Sequence, residues 1–461
     1  MSSIHQDKRR VVFVCRTATG ESLRSANALK HLDGVDLFGI VVGAALRGRP
    51  SPETQCGNLG RPQSAAPTID DVFVDIVQVA NVHDSDQLIA ASRNLVDKHG
   101  PLTHIVTAQE TLLEPVAKTS EALDIPGMSS ATVRQVLNKS LLKSTLRNAG
   151  IPTPPDRVVT SKSDAVRFLS VVGFPIMLKP LSGSGALATL LIHTAADLDH
   201  ALQLMQPSPA NPILAEAYLH GPELCLDTIT IDNEPQLHSI CCYYPSILEA
   251  LEHPEQQWSC IMPREIDIEL YGDFIEQGLA AVRALSVGNS FTHMEGFLDP
   301  EGRLLGFTDA TLRPAGARIG PMLGFAYDID PYRAWARVAV DGRFDGPWER
   351  KYAVGTIFLR GVGSGVVEHV EGIETIKRDL SDLIVDDRWP STEARKSDTY
   401  TGDGYITVRH ADTTNVKSAL EFIRNTVKIS YSDPEASLQW KDRFQNYQEL
   451  NRPAWEVGGS Q

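Results

Sequence analysis

The chain has 461 residues, 42% of them hydrophobic, with 43 lysines and arginines against 58 acidic residues and a formal charge of -15. That length suits roughly three domains of ~150 residues each, and the apolar content excludes bulk disorder. The negative balance leaves no broad cationic field for nucleic acid or an anionic membrane, so an anionic ligand needs a local cluster of positive groups.

The first apolar run, residues 11–15, follows a basic stretch but is too short for a secretory signal and reads as a strand. Nowhere do ~18 consecutive apolar residues occur, so no membrane-spanning segment is expected. Runs at 11–15, 36–42, 72–79 and 104–108 alternate with helical text and predict a parallel α/β domain over residues 1–128. Residues 47–68, dense in Gly, Pro and Ser, read as a surface loop to which no function is assigned. The cysteines, Cys15, Cys56, Cys225, Cys241, Cys242 and Cys260, lack metal-ligand spacing and predict reduced, buried thiols in a cytoplasmic protein.

From Ser130 to Gly150 the apolar spacing predicts one helix ending at a glycine C-cap. A helix opened by Ser163-Asp164, strands at 174–180, 188–192 and 212–219, and a helix after Thr194 complete an α+β unit, residues 129–222. Residues 223–350 form a strand-rich unit with a helix near 271–286, and Asp330-Pro331 starts another helix with aspartate as N-cap. Residues 351–461 form a C-terminal lobe of strands and a closing helix.

Three segments carry chemistry. In residues 175–192 a strand ends in Lys179 and runs into Ser182-Gly183-Ser184-Gly185, where glycines admit an anion close to backbone N–H donors and the lysine adds fixed charge. Taken alone, this is also the text of a hairpin turn with an edge lysine. Residues 214–223, LAEAYLHGPE, run from a strand into a Gly-Pro turn. In residues 291–320, Glu295 and Asp309 stand on neighbouring strands across the turn Asp299 to Gly302, an arrangement that can bring two carboxylates to one Mg²⁺. The GxSxG, HExxH and P-loop motifs do not occur. His293 alternates with Glu295 on its strand and can face the same site, although an isolated strand histidine is more often a packing residue, and Tyr243, Tyr244 and Trp335 read as packing residues.

Together these segments, with LNKSLLKSTLRNAGIPTP at 137–154, resemble the ATP-grasp superfamily in its carboxylate-amine, or L-amino-acid ligase, branch. The resemblance implies an ATP-grasp fold of mixed α/β and α+β type, with an N-terminal parallel α/β domain, a small lid subdomain (129–222), a large subdomain (223–350) and a C-terminal strand-rich lobe completing the module. It implies ATP held at its phosphates by Lys139, Lys179, Ser182, Gly183 and Ser184, at its adenine by Glu216, Ala217 and Leu219, and at its ribose by Glu223. Glu295, Asp309 and Thr311 would hold Mg²⁺, with Mn²⁺ as the alternative. Arg313, Lys179 and Arg318 are the implied catalytic residues, with Arg313 gripping a carboxylate or the acyl phosphate. Where the family usually has Glu-x-Asn, this chain has Asp309-Ala310-Thr311, a shorter carboxylate and a hydroxyl in place of an amide.

The activity so implied is ADP-forming ligation of a carboxylate, an amino acid or small acid, to an amine through an acyl phosphate. Its partners are small molecules, without nucleic acid or membrane, and a homodimer is left open. Two alternatives remain: a catalytically weak ATP-binding or regulatory module, motivated by Asp309 and Thr311, and a carboxylase-type enzyme, for which no AMKM-like biotin tract is present.

Overall fold

The computed structural model describes residues 8–17, 20–42, 69–183 and 188–433. The loop at 47–68, with Cys56, and the turn residues Ser184 and Gly185 lie outside the described residues. Among the described residues no helix is long and apolar enough to cross a membrane.

Four parallel strands form the first sheet, in the order Asp75–Val79, Val35–Val42, Arg9–Cys15, His104–Val106. Val11 to Cys15 are fully buried because helices cover both faces. Val11, Phe13 and Cys15 pack with helices Gly20–Lys30 and Pro331–Asp341, while Val12 and Val14 pack with Ser85–His99 and Leu113–Ala122. Phe13 meets Trp335 edge-on at 6.2 Å, joining this sheet to the rest of the molecule. The strand expected over 72–79 begins only at Asp75, since Val72 ends the short helix Ile69–Val72. A short apolar run does not by itself separate strand from helix.

The single helix expected between Ser130 and Gly150 is two, Ser130–Leu137 and Lys139–Asn148. Asn138 makes the break: its side-chain oxygen accepts from the backbone N–H groups of Ser140 and Leu141, both at 3.1 Å, and so caps the second helix. The restarted helix buries Lys139, Leu142, Lys143 and Leu146, a stripe at i, i+3, i+4 and i+7 that holds two lysines among leucines.

A four-stranded antiparallel sheet follows, ordered Asp156–Val159, Ile213–Ala217, Ile176–Pro180, Leu190–Ile192. Helices Lys162–Val172 and Ala195–Met205 back it with Phe168, Leu198 and Leu202. The largest sheet has eight strands: Leu304–Thr311, Ser290–Leu298, Glu223–Ile231, Glu234–Tyr244, Ser259–Met262, Ala353–Leu359, Gly404–His410, Ile384–Arg388. Helix Ile268–Leu285 covers one face near Phe274 and Phe307, and helix Thr413–Thr426 covers the far end. Asp330 caps helix Pro331–Asp341, with proline at its start, as its text predicts. Ser364–Glu371 and Lys428–Asp433 pair as a separate ribbon.

Candidate active site

Strand register builds the floor of a cleft between the four-stranded and eight-stranded sheets. Side chains two residues apart share a face, so Glu223, Cys225 and Asp227 project together from Glu223–Ile231. In the neighbouring strand His293 stands opposite Asp227 and Glu295 opposite Cys225. One strand further, Asp309 stands opposite Glu295 and Thr311 opposite His293. Three adjacent strands thus present acids, an imidazole and a hydroxyl on one surface.

These groups are already linked. His293 contacts Asp227 through Nδ1 at 2.9 Å and Glu295 through Nε2 at 3.4 Å, and the Tyr243 hydroxyl donates to Glu295 at 3.2 Å. Burial opposes a charge on His293, but Asp227 and Cys225 together more than offset it and hold the imidazole pKa well above its ordinary value. Cys225, Asp227 and His293 offer ligand atoms within 4.8 Å of one another, and Cys225 donates to Asp227 at 3.4 Å, so their polar atoms satisfy each other.

The opposite wall carries lysines. Lys179, at the end of Ile176–Pro180, donates to Glu216 Oε1 at 2.8 Å, and Lys143 Nζ lies 2.6 Å from Glu216 Oε2. Lys143 also donates to the Thr308 carbonyl at 2.9 Å. Lys139 donates to the Gly183 carbonyl at 3.0 Å and pairs with Asp309. Burial works against every charge here, and the outcome depends on partners. Burial pushes the Lys143 pKa down to about 8 despite Glu216. For Lys139 the carboxylates of Asp309, Glu110 and Glu295 together outweigh burial and the pKa rises. Glu216, between Lys143 and Lys179, and Asp309, facing Lys139, are both held below the usual carboxylate range.

Glu223 has no such cation in contact. It accepts from the Ile247 N–H at 2.7 Å, yet burial and then the Glu295 charge push its carboxyl up to about 8. A carboxyl that holds its proton more tightly folded than unfolded adds stability at low pH and loses it as pH rises through the folded value. The melting temperature of the nucleotide-free protein should therefore fall between about pH 4.5 and pH 8 relative to that of Glu223→Gln, which cannot ionise. Parallel melting curves for the two proteins would contradict the burial of an ionisable acid here.

Arg313 reaches the cleft from the loop after Leu304–Thr311 and pairs with Glu110 at 2.8 Å. Glu110 opens a 3-10 turn, Glu110–Leu112, just beyond parallel strand His104–Val106. Lys139, Lys179, Ser182, Gly183, Glu216, Ala217, Leu219 and Glu223 all line this cleft, as do Glu295, Asp309, Thr311 and Arg313. Arg318 does not. Its backbone is left-handed (φ 64°), and its guanidinium pairs with Asp386 and lies 4.5 Å over the Tyr405 ring. The arginine expected to be a second catalytic group is instead spent bracing strand Ile384–Arg388.

Sequence reading missed Glu110, Lys143 and Asp227, took Tyr243 for packing and leaned the same way for His293, although both line the cleft. Glu110 could have been found from its place past the carboxyl end of a parallel strand, where such sheets bind ligands. Lys143 could have been found from its position one turn after Lys139 on an otherwise apolar stripe.

A hard cation fits the oxygen set formed by Glu295, Asp309 and Thr311. The Thr311 hydroxyl is buried and has no hydrogen-bond partner among the described residues, an orphan that a metal ligand position would satisfy.

No family model matches the chain. An L-arginine-specific L-amino acid ligase of Bacillus subtilis is 26% identical over 251 residues, covering 53% of this chain and 59% of that relative, so the match spans less than two thirds of its length. The crystal structure of an L-amino acid ligase from Bacillus licheniformis is similar with a TM-score of 0.71 at 17% identity, over 93% of this chain and 100% of that one. The biotin carboxylase domain of the Hydrogenobacter thermophilus 2-oxoglutarate carboxylase, crystallised with MgADP, ADP and bicarbonate, is similar with a TM-score of 0.61 at 16% identity, over 92% and 91%. The parallel sheet and the four-stranded sheet facing an eight-stranded one give the chain the ATP-grasp fold, which it shares with these neighbours.

Proposed function

We propose that the chain is an ADP-forming ligase that activates a carboxylate with ATP and joins it to an amine. The observation that carries this reading is the facing of Lys139 and Lys179 against Glu295, Asp309 and Thr311, with Arg313 beside them in the same cleft. Similarity to L-amino acid ligases supports an amino acid as the acid substrate.

In this reading residues 129–222 are the lid, 223–350 the body and 351–461 the closing lobe. Adenine lies along Ala217 and Leu219 with Met177 and Phe297 as apolar walls, and Glu223 accepts from the ribose hydroxyls. Glu216 keeps its carboxylate on the two lysines, so the hinge backbone serves the base edge. Lys139 leaves Asp309 for the phosphates, joining Lys179, Ser182 and Gly183, with Ser184 beside them. Glu295, Asp309 and Thr311 would hold Mg²⁺, or Mn²⁺, which would supply positive charge to offset that of a phosphoryl group. Arg313 exchanges Glu110 for the carboxylate and stabilises the acyl phosphate by a bidentate grip. Closure of the lid keeps water from the acyl phosphate until the amine attacks.

The test is ATP-dependent phosphate and ADP release with amino acids supplied as both acid and amine, with Lys179→Ala as control. Release is expected to need both substrates and to be lost in the control. AMP and pyrophosphate as products would refute the mechanism. Mg·ATP binding without amine-dependent phosphate release, across a broad amino-acid panel, would instead support a nucleotide-binding module.

A further inference from the structure

Lys143 is fully buried, four residues after Lys139 on the same helix face, and touches both walls of the cleft. Its ammonium lies 2.6 Å from Glu216 in the four-stranded sheet and donates at 2.9 Å to the Thr308 carbonyl in the eight-stranded sheet. Thr308 directly precedes Asp309. Packing alone does not ask for a charge here. Its neighbours on the stripe include Leu142 and Leu146 beside Lys139, and a buried ion pair is often no more stable than an apolar replacement of the same volume.

The charge balance gives the ammonium a purpose. Lys143 and Lys179 share the single carboxylate of Glu216, one on each oxygen. One of the two positive charges is therefore left uncancelled, and the lysine that lines the cleft is Lys179. If Lys143 were neutral, Glu216 and Lys179 would form a closed pair of net zero charge, and the Lys179 ammonium would be drawn toward the carboxylate.

We propose that Lys143 is a positioning residue: it occupies Glu216 so that the charge of Lys179 is available to a nucleotide phosphate, and it ties that lysine to the strand bearing Asp309. The proposal rests on the ATP reading above. Lys143 touches no phosphate itself. Its effect falls on ligands that carry phosphate and spares those that do not.

The experiment compares ADP and adenosine binding by calorimetry in the wild type and in Lys143→Met, which keeps the volume and removes the charge, together with KM for ATP and for the acid. Adenosine affinity is expected to stay within about threefold of the wild type while ADP affinity falls by about tenfold or more, with KM for ATP raised and KM for the acid unchanged. Lys143→Arg, which keeps the charge, should recover most of the ADP affinity. If Lys143→Met does not fold, Lys143→Gln makes the same comparison with a side chain that can still hydrogen-bond. ADP affinity within threefold of the wild type in the folded neutral variant, or an equal loss for adenosine, overturns the proposal while leaving the ATP reading intact. A wild-type protein that binds no ADP overturns both.

Discussion

Glu295→Gln should lower turnover by roughly 10²–10³-fold while ADP binding without metal stays within severalfold of the wild type. The substitution keeps the shape of the side chain, and the amide can still meet Tyr243 and His293, which now contact the carboxylate at 3.2 and 3.4 Å. What it removes is one of the two carboxylates that stand directly opposite each other on adjacent strands. Of the groups proposed to hold the nucleotide, Met177, Ala217 and Lys179 stand on the four-stranded sheet and Lys139 on helix Lys139–Asn148, away from the substituted strand, which is why binding and turnover should separate. Single-turnover phosphate release measured beside calorimetric ADP binding checks this, and parallel loss of both would place Glu295 in the fold and not in the chemistry. The same variant should bring the Glu223 carboxyl down, because the Glu295 charge is part of what raises it.

Arg313→Met should reduce kcat/KM for the acid by about 10²-fold, with KM for ATP nearly unchanged. Its guanidinium pairs with Glu110 and with the Pro314 carbonyl, and no other arginine lines the cleft among the described residues. Lys is a poor substitute at a planar, two-oxygen contact, so Arg313→Lys should recover only a small part of the loss. The decisive measurement is the KM for each substrate taken separately. A rise confined to ATP would assign Arg313 to the nucleotide and withdraw it from the carboxylate.

What the sequence made legible and what it did not follow from the range of the interactions. The fully apolar text at 11–15 reads as a two-sided buried strand, and Asp330-Pro331 reads as a helix start, because both signals are local. Short motifs drew attention to the lysines and the facing acids, and the spacing of Glu295 and Asp309 matches two adjacent strands. Glu110 was not, since its partner Arg313 lies 203 residues away and only the packing of the parallel sheet on the body brings them together. Lys143 was only partly legible for a related reason: helical spacing shows that it shares a face with Lys139, but not that this face meets Glu216. The place of Arg318 was not legible because residue spacing carries no backbone handedness, and with a left-handed backbone its side chain pairs with Asp386. Asn138 was overlooked because an unbroken apolar period hid a residue that prefers to cap.

Two of the charged groups proposed to hold substrate are paired with carboxylates of the same cleft: Lys139 with Asp309 and Arg313 with Glu110. On the proposed reading, binding is therefore an ion exchange in which internal partners are traded for those of the ligand. A free divalent cation would have to displace Lys139 and leave that ammonium with one partner fewer, and a free phosphate would strand Asp309 in the same way. Mg·ATP brings both signs at once and leaves neither group without a partner. The cleft can thus discriminate against the abundant small ions of its surroundings without a gate, because only a ligand of matched, paired charge exchanges with it evenly.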